Sequence, residues 1–526
     1  MQQSDIISIG DVIRFQAQER GDQVAFTFEG DKLTYGALDQ NSNRAANGLI
    51  ALGVKPGDRV AYMGKNSHIY FEILIAVAKV GAVMTPINWR LAPPEVSYIV
   101  NDCQARVLFI GPEFTELLRQ IRPSLTHVET IFGSEAADGD IPDYRTWRDR
   151  FAETDPDIAC AADDDAIQLY TSGTTGHPKG AIMTHGSILT KRTPEEEAAL
   201  QDWQRAEPGE TSLLAMPCFH VSGTGFGISI MHGGTQAIVV REYDPTEALG
   251  FIEQYGIAKI FMVPAAIQIM LNHPRIREID FSRLKYIMYG ASPIPLDLMK
   301  KSIEVFGCGF IQMYGMTETS GTIVALNPED HDPAGNERMR SVGKPLQGVE
   351  IKVIDEAGNE VSPRTVGEIA TRSPKNMKGY WNMPGATAAT IDNAGWLRTG
   401  DAGYLDEEGY LYIHDRVKDM IISGGENVYP AEVENAIYSH PLVADVAVIG
   451  VPDEKWGEAV KACVVLKAGG QASQADIIAH ARRNIAGYKC PKSVDFIAAL
   501  PRNPSGKILR RELRAPYWVG RDRAVN

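Results

Sequence analysis

Between Ala166 and Tyr314 five short apolar runs, AIQLY, QAIVV, KIFMV, KYIMY and FIQMY, mostly alternate with helix-like stretches such as PTEALGFIEQYG and PLDLMKKSIEVFG. That alternation reads as βαβ units around a buried sheet. In such sheets ligands sit beyond the carboxyl ends of the strands, so the residues after each run are where chemistry is expected. An earlier stretch, RVAYMGKNSHIYFEILIAVAKVGAVMTPIN, repeats the strand, helix, strand order and predicts a second sheet-and-helix layer. After Thr322 the texture changes to strands punctuated by Gly, Pro and Asp (EIKVID, GEIATR, YLYIHD), which predicts a small, β-barrel-like subdomain at about 323–415.

Beyond Lys418 another mixed unit follows: MIISGG, a helix opening near Pro430, DVAVIGV, ACVVL, a helix over ASQADIIAHARRNI, and VDFIAAL. The 108 residues after Lys418 are enough for an independent domain. The expected architecture is α/β. A large N-terminal domain over 1–417 holds two mixed βα-layered subdomains plus the β-rich piece, and a small α+β domain spans 418–526. No internal repeat or low-complexity segment interrupts it.

Composition narrows the function. With 526 residues and 44% hydrophobic content, the chain can bury more than one core. Its 52 Lys and Arg against 67 Asp and Glu leave a net charge of −15, which argues against a nucleic-acid or anionic-membrane surface. The balance is uneven. Eleven basic residues against three acidic ones lie between Arg482 and Arg523, so that tip carries +8 and the rest −23. A basic tip closing on an acidic body suits a multiply phosphorylated small ligand, although a solvated basic face is the commoner explanation of such a run.

The six cysteines form no C-x-x-C pair and no zinc-type spacing, which fits a reducing, cytoplasmic compartment. MQQSDIISIG lacks the features of a secretory leader. The longest stretch free of Asp, Glu, Lys and Arg, Thr211 to Val240, contains Pro217, two histidines and five glycines, so no transmembrane segment is expected.

The sharpest local feature is YTSGTTGHPKG, Tyr170 to Gly180, in which Ser, Thr and Gly residues follow directly on an apolar strand. Backbone N–H groups and hydroxyls in such a loop can wrap phosphate oxygens. It is not a Walker A loop, because Pro178-Lys179-Gly180 stands where that motif needs Lys followed by Ser or Thr. Four further motifs follow: YGMTE (Tyr314 to Glu318), WLRTGD (Trp396 to Asp401), DRVKD (Asp415 to Asp419) and NPSGK (Asn503 to Lys507). In content and order the five resemble those of the adenylate-forming superfamily. That group holds acyl-CoA and aryl-CoA ligases, luciferases and peptide-synthetase adenylation domains, and the likeness covers essentially the whole chain and leans to fatty-acid–CoA ligases.

The resemblance implies a set of roles. Thr171, Ser172, Gly173, Thr174, Thr175, Gly176 and Lys179 would contact the ATP phosphates. Tyr314 would stack on adenine beside Gly315, Thr317 would touch the α-phosphate, and Glu318 would hold Mg²⁺, a hard cation that takes oxygen ligands. Asp401 would bind the ribose hydroxyls, and Arg416 would approach ribose or phosphate. Ile413 stands where the family often has an aromatic flanking the nucleotide. Gly290, Ala291 and Ser292 in YGASP would line the acyl and adenine pockets, and His220 in PCFH would flank the acyl site. Lys507 would bridge the attacking carboxylate and the α-phosphate. Lys418 would be the hinge of a mobile C-terminal domain, which in a second orientation presents Gly424, Gly425 and Glu426 to the thiol arm.

The implied reaction is carboxylate + ATP + CoA → acyl-CoA + AMP + PPi, by way of an acyl-adenylate. No protein nucleophile is needed, because the thiol of the acceptor ionises readily. CoA is expected as acceptor because no serine-bearing carrier domain follows Asn526. A fatty or other hydrophobic acid is expected as substrate, with aryl acids such as cinnamates or benzoates second and short acids third. No Asp or Glu occurs in the stretches that would line the acyl pocket, which disfavours an amino acid. Luciferase-like oxidation and a catalytically silent nucleotide-binding relative stay open as alternatives. The partners expected are small molecules, with no nucleic acid, no integral membrane segment, and a homodimer as the assembly to test.

Overall fold

The structure is a computed structural model that describes residues 2–171, 178–191, 193–292, 294–416, 419–423, 426–453, 456–502 and 508–519, with the backbone alone at 194, 414–416, 422, 426–427 and 457. It is a mixed α/β molecule with a large N-terminal and a small C-terminal domain, and its described residues form four sheets of nine, seven, four and five strands. The nine-stranded sheet has a parallel interior that contains Thr211–Leu214, Lys259–Met262, Tyr286–Gly290 and Gly309–Met316. KIFMV, KYIMY and FIQMY are among these strands, whereas AIQLY lies in the seven-stranded sheet and Thr211–Leu214 is not among the runs read from the sequence. Parallel strands need helices on both faces. The edges of the nine-stranded sheet are closed by antiparallel strands, Asp31–Thr34 on one side and Gly321–Leu326 with Lys344–Pro345 on the other.

The seven-stranded sheet is parallel through Arg59–Met63, Val83–Pro86, Val107–Ile110 and Asp165–Thr171, and ends on two antiparallel strands, Lys179–Thr184 and Gly379–Tyr380. Helices fill the layer between the two large sheets. His68–Lys79 is buried on every side, as expected of a helix whose apolar residues go all round. Its two buried charges are paired: Glu72 with Arg148 at 2.6 Å and Lys79 with Asp39 at 2.6 Å. Phe71 on this helix stacks on Phe26 of the nine-stranded sheet, ring centres 4.8 Å apart. One core cluster therefore joins both sheets.

The region that begins after Thr322 is divided. Its first strands extend the nine-stranded sheet, whereas Glu350–Ile354, Gly367–Arg372, Leu397–Leu405 and Leu411–Arg416 form a separate antiparallel sheet. The C-terminal unit packs the long hairpin Val443–Asp453 and Gly457–Leu466 against helices Pro430–Tyr438 and Gln474–Asn484, with its own apolar core. Among the described residues no helix is long and apolar enough to cross a membrane.

Candidate active site

Two strand ends meet in the crevice between the large sheets. Asp165–Thr171 arrives from the seven-stranded sheet and Gly309–Met316 from the nine-stranded one, so the residues after each end converge there. Thr171 donates from Oγ1 to Glu318 Oε1 across the crevice, at 3.3 Å. Tyr380 donates its hydroxyl to the same oxygen at 2.9 Å. The ammonium of Lys179 lies 5.0 Å from the centre of the Tyr380 ring, a cation–π contact. Tyr380 is brought there by strand pairing, which sets Gly379 opposite Ile182 and Tyr380 opposite Ala181 on the strand that starts at Lys179. The Met377 N–H adds a bond to the Glu318 carbonyl at 2.8 Å.

Local backbone shape fixes these side chains. Thr317–Thr319 is a single 3₁₀ turn closed by the Thr319 hydroxyl, which accepts from Met316 N and donates to the Gly321 carbonyl. Ser320 then adopts φ +48°, a left-handed conformation that costs a non-glycine residue energy. A Cβ at Gly315 would stand 2.0 Å from the Gly321 carbonyl oxygen, so only glycine lets the two strands close here. Glu318 is consequently buried at 6% exposure.

On the other side of the crevice Tyr314 donates its hydroxyl to Asp401 Oδ2 at 2.7 Å. Asp401, buried in Leu397–Leu405, is the register partner of Arg416, whose side chain lies outside the described residues. Ile413, on the strand of Arg416, packs with Tyr314 against one apolar cluster. Gly290 ends its strand with no room for a Cβ, which would meet the Met313 carbonyl oxygen at 2.3 Å. Ala291 follows at φ +68°. Ala291, Ser292, Gly315 and Thr317 all line the cavity.

That cavity is large, about 2530 Å³, well above the roughly 1,000 Å³ at the upper end for one small ligand. It runs from Thr171, Glu318 and Asp401 along the helix Val221–Gly233 and across to the C-terminal domain. His220 caps that helix, packs its ring on Phe219 with centres 4.6 Å apart, and lines the cavity. Cys218 nearby is buried, and burial pushes its thiol up, which removes thiolate character. Ser172, Gly173, Thr174, Thr175, Gly176, Lys418, Gly424, Gly425 and Lys507 lie outside the described residues, and Glu426 is described by its backbone alone, opposite Ser423.

The neighbours of Lys507 are informative. Arg502 and Ile508 form a β-bridge and both line the cavity, whereas the paired strands 421–423 and 426–428 do not. Gln268 of the large domain donates from Nε2 to the Tyr438 hydroxyl of the small one at 2.9 Å. No group of three or more His, Cys, Asp or Glu able to enclose a metal exists among the described residues. The single carboxylate of Glu318 is a donor set that fits Mg²⁺, which keeps its waters and binds through one or two carboxylates plus substrate phosphates. The sequence reading missed Tyr380, which lies 62 residues from Glu318. Its only local signal is an aromatic in the short stretch KGYW.

Comparison with known proteins agrees with this geometry. The model of the AMP-binding enzyme family matches residues 13–381, and that of the AMP-binding enzyme C-terminal domain matches 432–507. The chain is 42% identical over 513 residues to the fatty acid–[acyl-carrier-protein] ligase ScoC of Streptomyces coeruleorubidus, covering 97% of each. It is 39% identical over 490 residues to a feruloyl-CoA synthase of an Amycolatopsis species, covering 93% of this chain and 94% of that one. The anthranilate CoA ligase AuaEII, solved with anthranoyl-AMP, superimposes with a TM-score of 0.89 at 28% identity, covering 98% of this chain and 99% of that one. The protein belongs to the family of AMP-binding, adenylate-forming enzymes. Within it, the chain is an acid–thiol ligase of the AMP-forming kind.

Proposed function

We propose that the protein joins a hydrophobic carboxylic acid to the thiol of CoA in two half-reactions, each run in the one cavity. The observation that carries this reading is the meeting of a phosphate corner, Thr171, Lys179 and Glu318, with a nucleoside corner, Tyr314 and Asp401, in a cavity that Phe226, Phe261 and Met288 also line. In the first half-reaction the loop 171–176 and Lys179 hold the triphosphate. Asp401 accepts from the ribose hydroxyls, exchanging its bond to Tyr314. Tyr314 covers the adenine beside Gly290, Ala291, Ser292, Gly315 and Ile413, and Arg416 meets the ribose or phosphate edge. Thr317 donates to the α-phosphate.

Mg²⁺ held by Glu318 would supply charge neutralisation for the phosphate oxygens. Tyr380 is a positioning residue: it fixes Glu318 Oε1 and supports the ammonium of Lys179 from below. Lys507 offsets the repulsion between the carboxylate and the α-phosphate, most strongly in the transition state, where negative charge gathers. His220 flanks the reacting carboxylate. The small domain, which we take to turn about Lys418, then withdraws Lys507 and brings Gly424, Gly425 and Glu426 to the thiol arm. The cytoplasm, with its reducing pool, is the matching compartment.

The 42%-identical ligase named for acyl-carrier protein favours a second reading in which a carrier-bound pantetheine replaces CoA. A panel of carboxylic acids scored by AMP release, with CoA and with holo carrier protein in separate arms, tests both. CoA-dependent AMP release is expected, and release that occurs only with the carrier would overturn CoA as acceptor.

A further inference from the structure

The helix Val221–Gly233 is an odd helix, with glycine at 223, 225, 227 and 233. Interior glycine costs a helix up to about 1 kcal/mol each relative to alanine, so each needs a reason. Three have one in packing. A Cβ at Gly223 would stand 2.3 Å from the Pro217 carbonyl oxygen, at Gly227 2.2 Å from the Phe71 ring, and at Gly233 2.5 Å from Ala206 Cβ. Gly225 has none, because a Cβ there meets nothing within 4 Å.

The open space beside Gly225 is the cavity. Ser222, Gly225, Phe226 and Ser229 fall on one face of the helix at helical spacing and line it; Gly223, Gly227 and Met231, which are buried, do not line it. Across the groove stand Phe261 and Met288 of the nine-stranded sheet, with Trp203 beside them in one apolar cluster. Farther along the sheet the cavity lining includes Lys259, buried and paired with Glu210 at 3.0 Å, and Glu210 also binds Lys285 at 2.9 Å. Lys259 is the register partner of Tyr286, four residues before Gly290 at the reacting end. At the strand rise of about 3.3 Å per residue, the pair lies about 13 Å from the reacting end along the sheet. Single C–C bonds in an extended chain advance about 1.25 Å per carbon, so about ten to twelve carbons span that distance.

We infer that Gly225 is a specificity-determining residue that keeps this groove open for an unbranched aliphatic acid of medium length, and that the Lys259–Glu210 pair sets the length limit. The inference rests on the ligase reading above and chooses among its substrates. A compact aryl acid fills only the reacting end, and an apolar chain longer than the groove drives its terminus against a charged pair. Methylene burial gives the gradient: each added carbon is worth about a fourfold gain in kcat/KM until the groove is full.

The test uses the full chain with straight-chain acids from butanoate to hexadecanoate, ferulate and anthranilate, read by acid-dependent ATP–pyrophosphate exchange and AMP release. The unaltered protein is expected to rise in kcat/KM up to ten to twelve carbons and to gain nothing beyond. Gly225→Leu is expected to lower the dodecanoate-to-butanoate ratio by about 100-fold, with a melting temperature no lower than that of the parent, which excludes misfolding as the cause. A ratio unchanged within threefold, or an aryl acid that outperforms every straight-chain acid, would overturn the inference and leave the ligase reading intact. Exchange with none of the acids would overturn the ligase reading itself.

Discussion

The nucleotide corner and the acyl groove share one cavity and are built by opposite means. In the corner, side chains are tied to one another: Thr171 and Tyr380 to Glu318, Tyr314 to Asp401, Lys179 to the Tyr380 ring. In the groove the decisive feature is a side chain that is missing, at Gly225. The difference matches what each part must recognise. A triphosphate and a ribose have fixed polar groups, and hydrogen bonds to charged groups are directional and strong. An alkyl chain offers only volume and area, and volume is read by leaving space. Substitutions in the corner are therefore expected to damage every acid alike, and substitutions in the groove to re-rank the acids.

The largest effect is expected from Lys507→Ala. Removing one preorganised cation from a developing pentacoordinate centre costs roughly 10²–10³ in rate, here in acid-dependent ATP–pyrophosphate exchange. The loss is to be equal for butanoate and dodecanoate, whereas thioester formation from supplied acyl-adenylate changes less than about tenfold. Unequal losses across chain lengths would show that Lys507 also reads the acid and would erase the division between corner and groove. Asp401→Ala comes next. It removes the carboxylate that Tyr314 holds at 2.7 Å, and the KM for ATP is expected to rise by about 10–100-fold on the scale of hydrogen bonds to a charged group. The KM for the acid should stay within about threefold, and steady-state kinetics with each substrate varied in turn decides it.

These two residues show which half of the site can be read from a sequence. Tyr314, Glu318, Asp401 and Lys507 stand out in the sequence because polar recognition uses particular residue types in fixed local order, and for Tyr314 and Glu318 the apolar run before them also gives the strand. FIQMY is the strand that delivers Tyr314 and Glu318 to the crevice. Tyr380 is a different case. It reaches Glu318 only because the two-residue strand Gly379–Tyr380 adds to the sheet edge at Lys179–Thr184, a long-range pairing that no local period encodes. The allotment of Gly321–Leu326 to the large sheet is, by contrast, a local pairing: that strand folds straight back on Gly309–Met316. The groove is harder still, since Gly223, Gly225 and Gly227 look identical in the sequence and differ only in what faces them.

Tyr380→Phe sharpens the contrast within the corner. The ring stays, so its contact with Lys179 survives, and one of the two hydroxyls on Glu318 Oε1 is lost while that of Thr171 remains. The Mg²⁺ concentration for half-maximal activity is expected to rise by about tenfold, the lower range for a hydrogen bond to a carboxylate. Saturating Mg²⁺ should restore kcat to within about threefold. ATP binding followed by calorimetry with and without Mg²⁺ supplies the second readout, because a tyrosine of purely structural importance would weaken both equally.

The smallest effect bears on stability alone. Gly225→Ala places a methyl group where nothing lies within 4 Å, so the helix gains propensity without a clash, about 0.5–1 kcal/mol. Gly227→Ala adds the same methyl two residues on and drives it into the Phe71 ring, at 2.2 Å from an ideal Cβ. Overpacking of that kind costs about 1–3 kcal/mol. The two variants should therefore move the unfolding transition in opposite directions, measured by denaturant titration of the full chain. If Gly225→Ala destabilises as Gly227→Ala does, the space beside residue 225 is filled in solution and the groove is not held open by the missing side chain. If it stabilises, the unaltered chain forgoes that fraction of its stability to keep room for the acid. This is the trade expected where selection acts on substrate length more strongly than on the fold.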